Sequence, residues 1–264
     1  MVEGEEGEAL EALRSLHWAH LLAVPFENLS VHNGETIQLD YDKLYDKIVR
    51  RRRGGFCYEN NGCFAWLLRQ LGYQVSLMSA SVFQQGAQGG RFGPEYDHLV
   101  LMVHIGKKRW LADVGFGSSY PDLLDFDTRD EQVQVTGRHR VLPDILLRGS
   151  GVYVYWQWMP PPGSSVQAPG EWQPRHRFCI RPKQLEDFRQ MCTFHQSSPE
   201  SFFRKGLLVS RLRGPEEGGG TITLTDSKLI VYTADTDERT EELIDSQERF
   251  NDELQKHFGI SEPG

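Results

Sequence analysis

A cysteine set between two glycines and an apolar helix constrains this chain more than any other stretch. In Arg53-Gly54-Gly55-Phe56-Cys57-Tyr58-Glu59-Asn60 the thiol heads a run with apolar residues at helical spacing (Phe64, Leu67, Leu68, Leu71), and Gly72 stops it. A helix N-terminus presents backbone N–H groups and the positive end of its dipole, and both favour thiolate, the nucleophilic form. Neither glycine carries a Cβ, so another backbone or a ligand can come close. The other use of such a residue is as a small buried hydrophobe without chemistry. A base and an orienting group elsewhere in the chain would decide between the two.

Helical patterns surround this stretch, and strand patterns follow it. Leu10, Leu13, Trp18 and Leu21 predict an amphipathic helix from Ala9, ended by Pro25, with nothing regular in the Glu/Gly-rich residues 1–8. Tyr41 to Arg50 predicts another, with Leu44, Ile48 and Val49 on its inner side. Beyond Gly72, Val75–Phe83 and Leu99–Ile105 read as strands around a Gly/Gln/Pro-rich loop from Gln84 to Pro94. Trp110–Val114 pairs with the second strand across Gly106-Lys107, where a leading glycine suits a type II′ turn. Short strands near Val133, Val141, Ile145–Leu147 and Tyr153–Trp158 suggest a small barrel or curled sheet, and Met159–Ser165 reads as a proline-rich loop. The last third predicts a helix over Arg181–Cys192 with Leu185, Phe188 and Met191 on one face. A meander of Leu207–Leu212, Thr221–Leu224 and Leu229–Thr233 follows. The closing helix starts at the capping pair Asp245 and Glu248 and buries Phe250, Leu254 and Phe258.

Composition narrows the function class. A chain of 264 residues with 39% hydrophobic and 25% charged residues can bury an ample core. Its net charge of -8 argues against a nucleic-acid partner held by general electrostatics. The acidic N-terminus has no apolar signal region, and no run reaches the length of a membrane span. Four cysteines in a chain this size need not be bridged, so reduced thiols and a cytoplasmic location are expected.

A cysteine nucleophile needs a base, and the base needs an orienting group. His98 and Asp113 are the best candidates. If Gly106-Lys107 is a two-residue turn, Val103 pairs with Trp110 and His98 falls opposite Gly115. Asp113, two residues earlier, then shares a face with His98 as its diagonal neighbour. A slip of one residue would separate them. The competing use of His98 is a core histidine bonded to some carbonyl. Other histidines signal less: His17 and His20 lack ligand spacing, His104 is near a turn, and His139, His176, His195 and His257 sit in polar segments. A zinc site from Cys57, Cys63 and His98 lacks the usual paired spacing, so no metal is expected. Within the basic run Arg50–Arg53, Arg53 abuts the glycines and is carried inward, with Glu27 its candidate partner.

Pro25-Phe26-Glu27-Asn28-Leu29, Arg53-Gly54-Gly55-Phe56-Cys57, Asp97-His98-Leu99 and Asp113-Val114-Gly115-Phe116-Gly117 resemble, in order and spacing, the motifs of the arylamine N-acetyltransferases, and the likeness runs from about Leu10 to Ile260. The resemblance implies an α+β fold: an N-terminal helical bundle (1–75) carrying the nucleophile, a β-barrel (76–175) carrying the histidine and aspartate, and a C-terminal α/β lid (176–264). The first two parts resemble a cysteine-protease-like core. It also implies a Cys57–His98–Asp113 triad, with acetyl-CoA as acetyl donor and an arylamine, arylhydroxylamine or hydrazine as acceptor. Glu27 and Arg53 would form a buried pair beside the triad. Phe26, Phe116 and Asp97 would line the acceptor site, and Phe194 and Ser201 would touch CoA. Pro94 and Glu200 depart from the family pattern at the CoA contacts. The late start implies either a trimmed bundle or a shortened sequence, and the early stop implies a pocket open to bulky acceptors. An amide synthase of the same fold, a cysteine hydrolase and an inactive binding module are the competing functions.

Overall fold

The computed structural model describes residues 3–86, 89–117, 120–147, 149–159 and 169–261. The predicted loops lose residues 87–88 and 160–165 from this range. Two compact units emerge, each drawn from three segments. Met1–Trp18, Phe64–Asp113 and Ser119–Phe188 form one; Ala19–Cys63, Val114–Ser118 and Arg189–Gly264 form the other.

The helices come first. Helix α1 (Glu3–Ala23) starts well before Ala9, because its leading glutamates are good helix formers that also favour the positive end of the dipole. The short β1 (Phe26–Glu27) and α2 (Leu29–His32) follow it. Helix α3 (Tyr41–Tyr45) is capped by Asp40, whose carboxylate accepts the N–H groups of Asp42 and Lys43, and runs into a π-helical turn, Asp46–Arg50. Residues three and four apart share a helix face, so Lys47 and Ile48 go inward with Leu44 and position 49 does not. Lys47 and Ile48 are buried, whereas Val49, expected inside, is 46% exposed. Helix α4 (Cys57–Gln70) begins at the cysteine, as its spacing predicts.

The first unit is built on antiparallel strands. These are β2 (Gln74–Gln84), β3 (Arg91–Phe92), β4 (His98–Ile105), β5 (Lys108–Ala112), β6 (Leu124–Asp125), β7 (Gln132–Gln134), β8 (Gly137–Pro143), β9 (Val152–Met159) and β10 (Glu171–Cys179). Their order is β6-β5-β4-β2-β10-β9-β8-β7, with β3 paired to β2, a curled and nearly closed sheet. The β4–β5 register is the predicted one: Val103 faces Trp110 and Ile105 faces Lys108. Gly106 has φ 57°, as a turn opening on a left-handed residue needs. Ile145–Leu147 is not a strand. Asp144 accepts the N–H groups of Leu146 and Leu147 in an Asx turn, and Ile145 and Leu146 are 73% and 86% exposed. Strand β10 went unpredicted, since Pro174 and its charged neighbours hide the alternation; a register shift lies between Pro174 and His176.

Period-two alternation sends Met78 and Ala80, Val100 and Met102, Val141, Tyr155 and Phe178 into one core. Burying each large side chain there contributes roughly 1.5–3 kcal/mol. His98 shares this inward face with Val100, and His176 shares it with Phe178. On β2, Ala80 lies between His98 and Phe178, while Val82 faces His176. The two imidazoles are thereby brought together across one strand.

In the second unit β1 edges a sheet ordered β1-β11-β12-β13-β14, formed by β11 (Leu208–Leu212), β12 (Thr221–Thr225), β13 (Lys228–Thr233) and β14 (Glu238–Leu243). Asn28 fastens this edge: its amide donates to the carbonyls of Phe203 and Gly206 and accepts the Leu208 N–H. The predicted Arg181–Cys192 helix is instead a 3₁₀ turn (Leu185–Phe188), then α5 (Arg189–Ser197), with Cys192 and His195 inward and Met191 half-buried. The short α6 (Phe202–Lys205) precedes the meander. Helix α7 (Gln247–Phe258) is capped by Ser246 rather than Asp245, the serine hydroxyl accepting the Arg249 N–H at 3.2 Å. Its Phe250, Leu254 and Phe258 pack on Val209, Ile222, Leu224 and Leu229.

Arg211 grips Glu217 through two hydrogen bonds of 2.8 and 2.9 Å and holds that carboxyl well below its usual value of 4.5, at about 2. A depressed carboxyl stabilises the fold above its unfolded pKa, and that stabilisation fades as pH falls through the folded value. Urea midpoints measured from pH 5 down to pH 2 should therefore decline, and Glu217→Gln should flatten part of the decline.

Candidate active site

Glycines decide what can approach Cys57. A Cβ on Gly54 would stand 1.8 Å from the Pro25 carbonyl oxygen, and one on Gly55 would meet the Glu59 side chain at 2.5 Å. A Cβ on Gly115 would lie 2.7 Å from Cys57 Cα and 2.8 Å from the Asn61 amide nitrogen. The segment after Asp113 therefore lies directly on the first turn of α4, where the Val114 N–H donates to Asn61 Oδ1 at 2.9 Å. Cys57 is buried, and all four cysteines are unbridged. Burial pushes the Cys63 thiol up to about 11 and, with Glu59 nearby, Cys192 up to about 12, which leaves both inert.

Four buried charges brace this turn. Glu59 Oε2 accepts the Phe56 N–H at 3.1 Å, half of a capping box. Its other oxygen accepts from Lys47 Nζ at 2.8 Å, and Lys47 lies 3.4 Å from Glu27. Glu27 also accepts from Arg53 Nε and Nη2 at 3.3 and 3.2 Å, the pair expected from the sequence, and takes the Leu29 N–H at 2.7 Å. Two cations and two carboxylates balance, as burial requires.

In the other unit His98 Nε2 donates to Asp113 Oδ2 at 2.7 Å, both side chains buried. This bond fixes the tautomer and leaves Nδ1 as the nitrogen that can take up a proton. The Asp113 main-chain N–H donates to His17 Nε2 at 3.2 Å, so His17 must carry its own proton on Nδ1, which donates to the Pro121 carbonyl at 3.1 Å. Burial lowers His17 and keeps it neutral, as both bonds require. His176 Nε2 stands 3.9 Å from Asp113 Oδ2, its ring 5.3 Å from that of His98, and burial pushes it down to about 3. Among the described residues, His98, Asp113 and His176 present ligand-type atoms within 4.8 Å of one another.

A thiol heading a helix, with an imidazole–carboxylate pair elsewhere in the chain, suits acyl transfer, and comparison with known proteins specifies which kind. The N-acetyltransferase family profile matches residues 9–262. The chain belongs to the arylamine N-acetyltransferase family. It is 32% identical to a pineal-gland arylamine N-acetyltransferase isozyme of Gallus gallus, over 94% of this chain and 89% of that one. The solved arylamine N-acetyltransferase of Salmonella typhimurium is 30% identical with a TM-score of 0.79, covering 95% of this chain and 84% of that one. The Mycobacterium marinum enzyme, solved in complex with CoA, is 28% identical with a TM-score of 0.80, covering 95% and 86%.

The remaining expected residues fall in several places. In this family member Phe26 sits on β1, its ring 5.9 Å from Phe203, and Phe116 is half-buried in the segment after Asp113. Asp97 lies in the turn before β4, where a Cβ on Gly93 would stand 2.6 Å from its carboxylate. Phe194 is 39% exposed on α5. Ser201 is buried as the cap of α6, its hydroxyl accepting the Phe203 N–H at 3.2 Å and lying 3.1 Å from His195 Nδ1.

Sequence reasoning passed over His17, Lys47, Glu59 and His176, and it placed His139, His176 and His195 in polar segments although all three are buried. A signal existed in Arg138-His139-Arg140 and Arg175-His176-Arg177, where strand alternation turns the histidine inward. His17→Leu should strand the Asp113 N–H and the Pro121 carbonyl, costing about 1–3 kcal/mol for each group. Urea denaturation checks this, with His17→Gln expected to lose less.

Proposed function

We propose that this chain transfers the acetyl group of acetyl-CoA to an arylamine, arylhydroxylamine or hydrazine through an acetyl thioester on Cys57. The observation that carries the proposal is the buried 2.7 Å bond from His98 Nε2 to Asp113 in a member of this family whose α4 opens on Cys57. Chain connectivity adds support: Asp113 precedes by two residues Gly115, which lies on Cys57.

In the first half-reaction the Cys57 thiolate, its proton on His98 Nδ1, attacks the thioester carbonyl. The carbon–sulfur bond to CoA breaks, CoA leaves with the proton from His98, and acetyl-Cys57 remains. In the second, the amine nitrogen attacks that carbonyl, neutral His98 takes the amine proton, and the Cys57 thiolate departs. Asp113 holds the ring and its tautomer through both halves. Backbone N–H groups at the head of α4 suit the developing oxyanion. Phe26, Phe116 and Asp97 line the acceptor side. Phe194 meets CoA, and Ser201 shapes that edge by capping α6. A cytoplasmic setting, where thiols stay reduced, fits the four unbridged cysteines.

Incubation with acetyl-CoA and a panel of arylamines and hydrazines of graded size, following CoA release, tests this function. Amine-dependent release is expected. Release indifferent to amine would make the protein a hydrolase.

A further inference from the structure

Lys47 lies against the first turn of the Cys57 helix, yet none of the steps above uses it. The residue is 5% exposed, with its ammonium 2.8 Å from Glu59 Oε1 and 3.4 Å from Glu27 Oε1. Its main-chain carbonyl accepts the Arg53 N–H at 3.0 Å. Glu59 in turn accepts the N–H of Phe56, the residue before Cys57. Lys47 therefore reaches both ends of the Arg53–Phe56 segment, directly at Arg53 and through Glu59 at Phe56. Lys47 is carried inside by its place three residues after buried Leu44, on the same helix face, and it lies in a π-helical turn (Asp46–Arg50), a form that often accompanies function.

We propose that Lys47 is a positioning residue for Cys57: its ammonium neutralises Glu59, so that this carboxylate caps the helix without placing a bare negative charge two residues from the sulfur. The inference rests on Cys57 being the nucleophile. A carboxylate in the first turn is welcome to the helix dipole but unwelcome to a thiolate in the same turn. A cation beside that carboxylate removes the conflict. Lys47 and Arg53 balance Glu27 and Glu59, two positive charges against two negative, and deleting Lys47 leaves a net charge of -1 among them.

The groups facing this cluster are few. Glu27 comes from β1, Arg53 is already held by Glu27, and Cys192 comes from α5 with its thiol pushed up by burial and Glu59. Glu35, Lys43, Asp46 and Arg51 border a cavity of about 150 Å³ that Lys47 and Glu59 also line. Burial raises the Glu59 carboxyl and Lys47 opposes that, and without Lys47 the ionised carboxylate would stand uncompensated and repel the thiolate.

Iodoacetamide alkylation of Cys57 as a function of pH, located by peptide mapping, tests this without relying on acetyl transfer. Lys47→Met should raise the midpoint by about half a pH unit or more. Glu59→Gln should lower it, the double variant should return close to the parent, and Lys47→Arg should stay there. A Lys47→Met protein that loses stability while keeping the parental midpoint overturns the proposal. If Lys47→Met does not fold, the double variant is compared with Glu59→Gln: a higher midpoint in the double supports the proposal, and coincident midpoints overturn it. Normal acetyl transfer with unresponsive midpoints defeats this inference alone, whereas shifted midpoints in a protein that transfers no acetyl group defeat the assigned function alone.

Discussion

Cys57→Ser is expected to reduce acetyl transfer by roughly 10⁴-fold or more, and Cys57→Ala to abolish it. Serine keeps the shape of the site but not its chemistry. A thiol can be ionised before substrate arrives, because its ordinary pKa lies within a few units of neutrality. A hydroxyl lies far above that range and must lose its proton during attack, so the nucleophile available at rest disappears. Cys63 and Cys192 offer no substitute, since burial holds their thiols near 11 and 12. Amine-dependent CoA release, compared at matched folded protein by circular dichroism, reads the effect. A Cys57→Ser enzyme within tenfold of the parent would rule out attack by this sulfur.

The second large effect is expected at Asp113, where Asn should cost roughly 10³–10⁴-fold in kcat/KM. His98 Nε2 now donates to a carboxylate, which can only accept. An amide can turn its NH₂ toward the ring instead, drawing the imidazole proton to Nδ1 and removing the atom that should receive the thiol proton. The neutral amide also gives no charge to stabilise an imidazolium. Because the main-chain N–H of residue 113 still reaches His17, the backbone should hold and the variant should fold. The loss should persist across the pH range, as a wrong tautomer is not corrected by titration. A loss under tenfold would mean that the carboxylate only fills space.

Much of the site was legible because short-range rules fixed it. Two glycines, a cysteine and helical spacing placed Cys57 at the head of α4. A two-residue turn at Gly106-Lys107 set the β4–β5 register, and that register alone put His98 and Asp113 on one face. Other parts depended on contacts that no local pattern encodes. Lys47 turns inward three residues after Leu44, a charged residue on the buried face, while Val49 falls on the outer side. His17 reaches an N–H 96 positions away in sequence. Strand β10, which carries His176, is obscured by Pro174, and β14 is polar on both faces, so neither shows the alternation that marks a strand. Ile145–Leu147 misled in the opposite sense: apolar residues on an exposed Asx turn read as a strand.

Intact-mass measurement and peptide mapping after brief exposure to acetyl-CoA, with no amine present, test the central claim most directly. One acetyl group is expected, carried on Cys57 and discharged when an arylamine is added. An acetyl group on Cys63, Cys179 or Cys192, or amine acetylation by a protein that never carries one on Cys57, would contradict it.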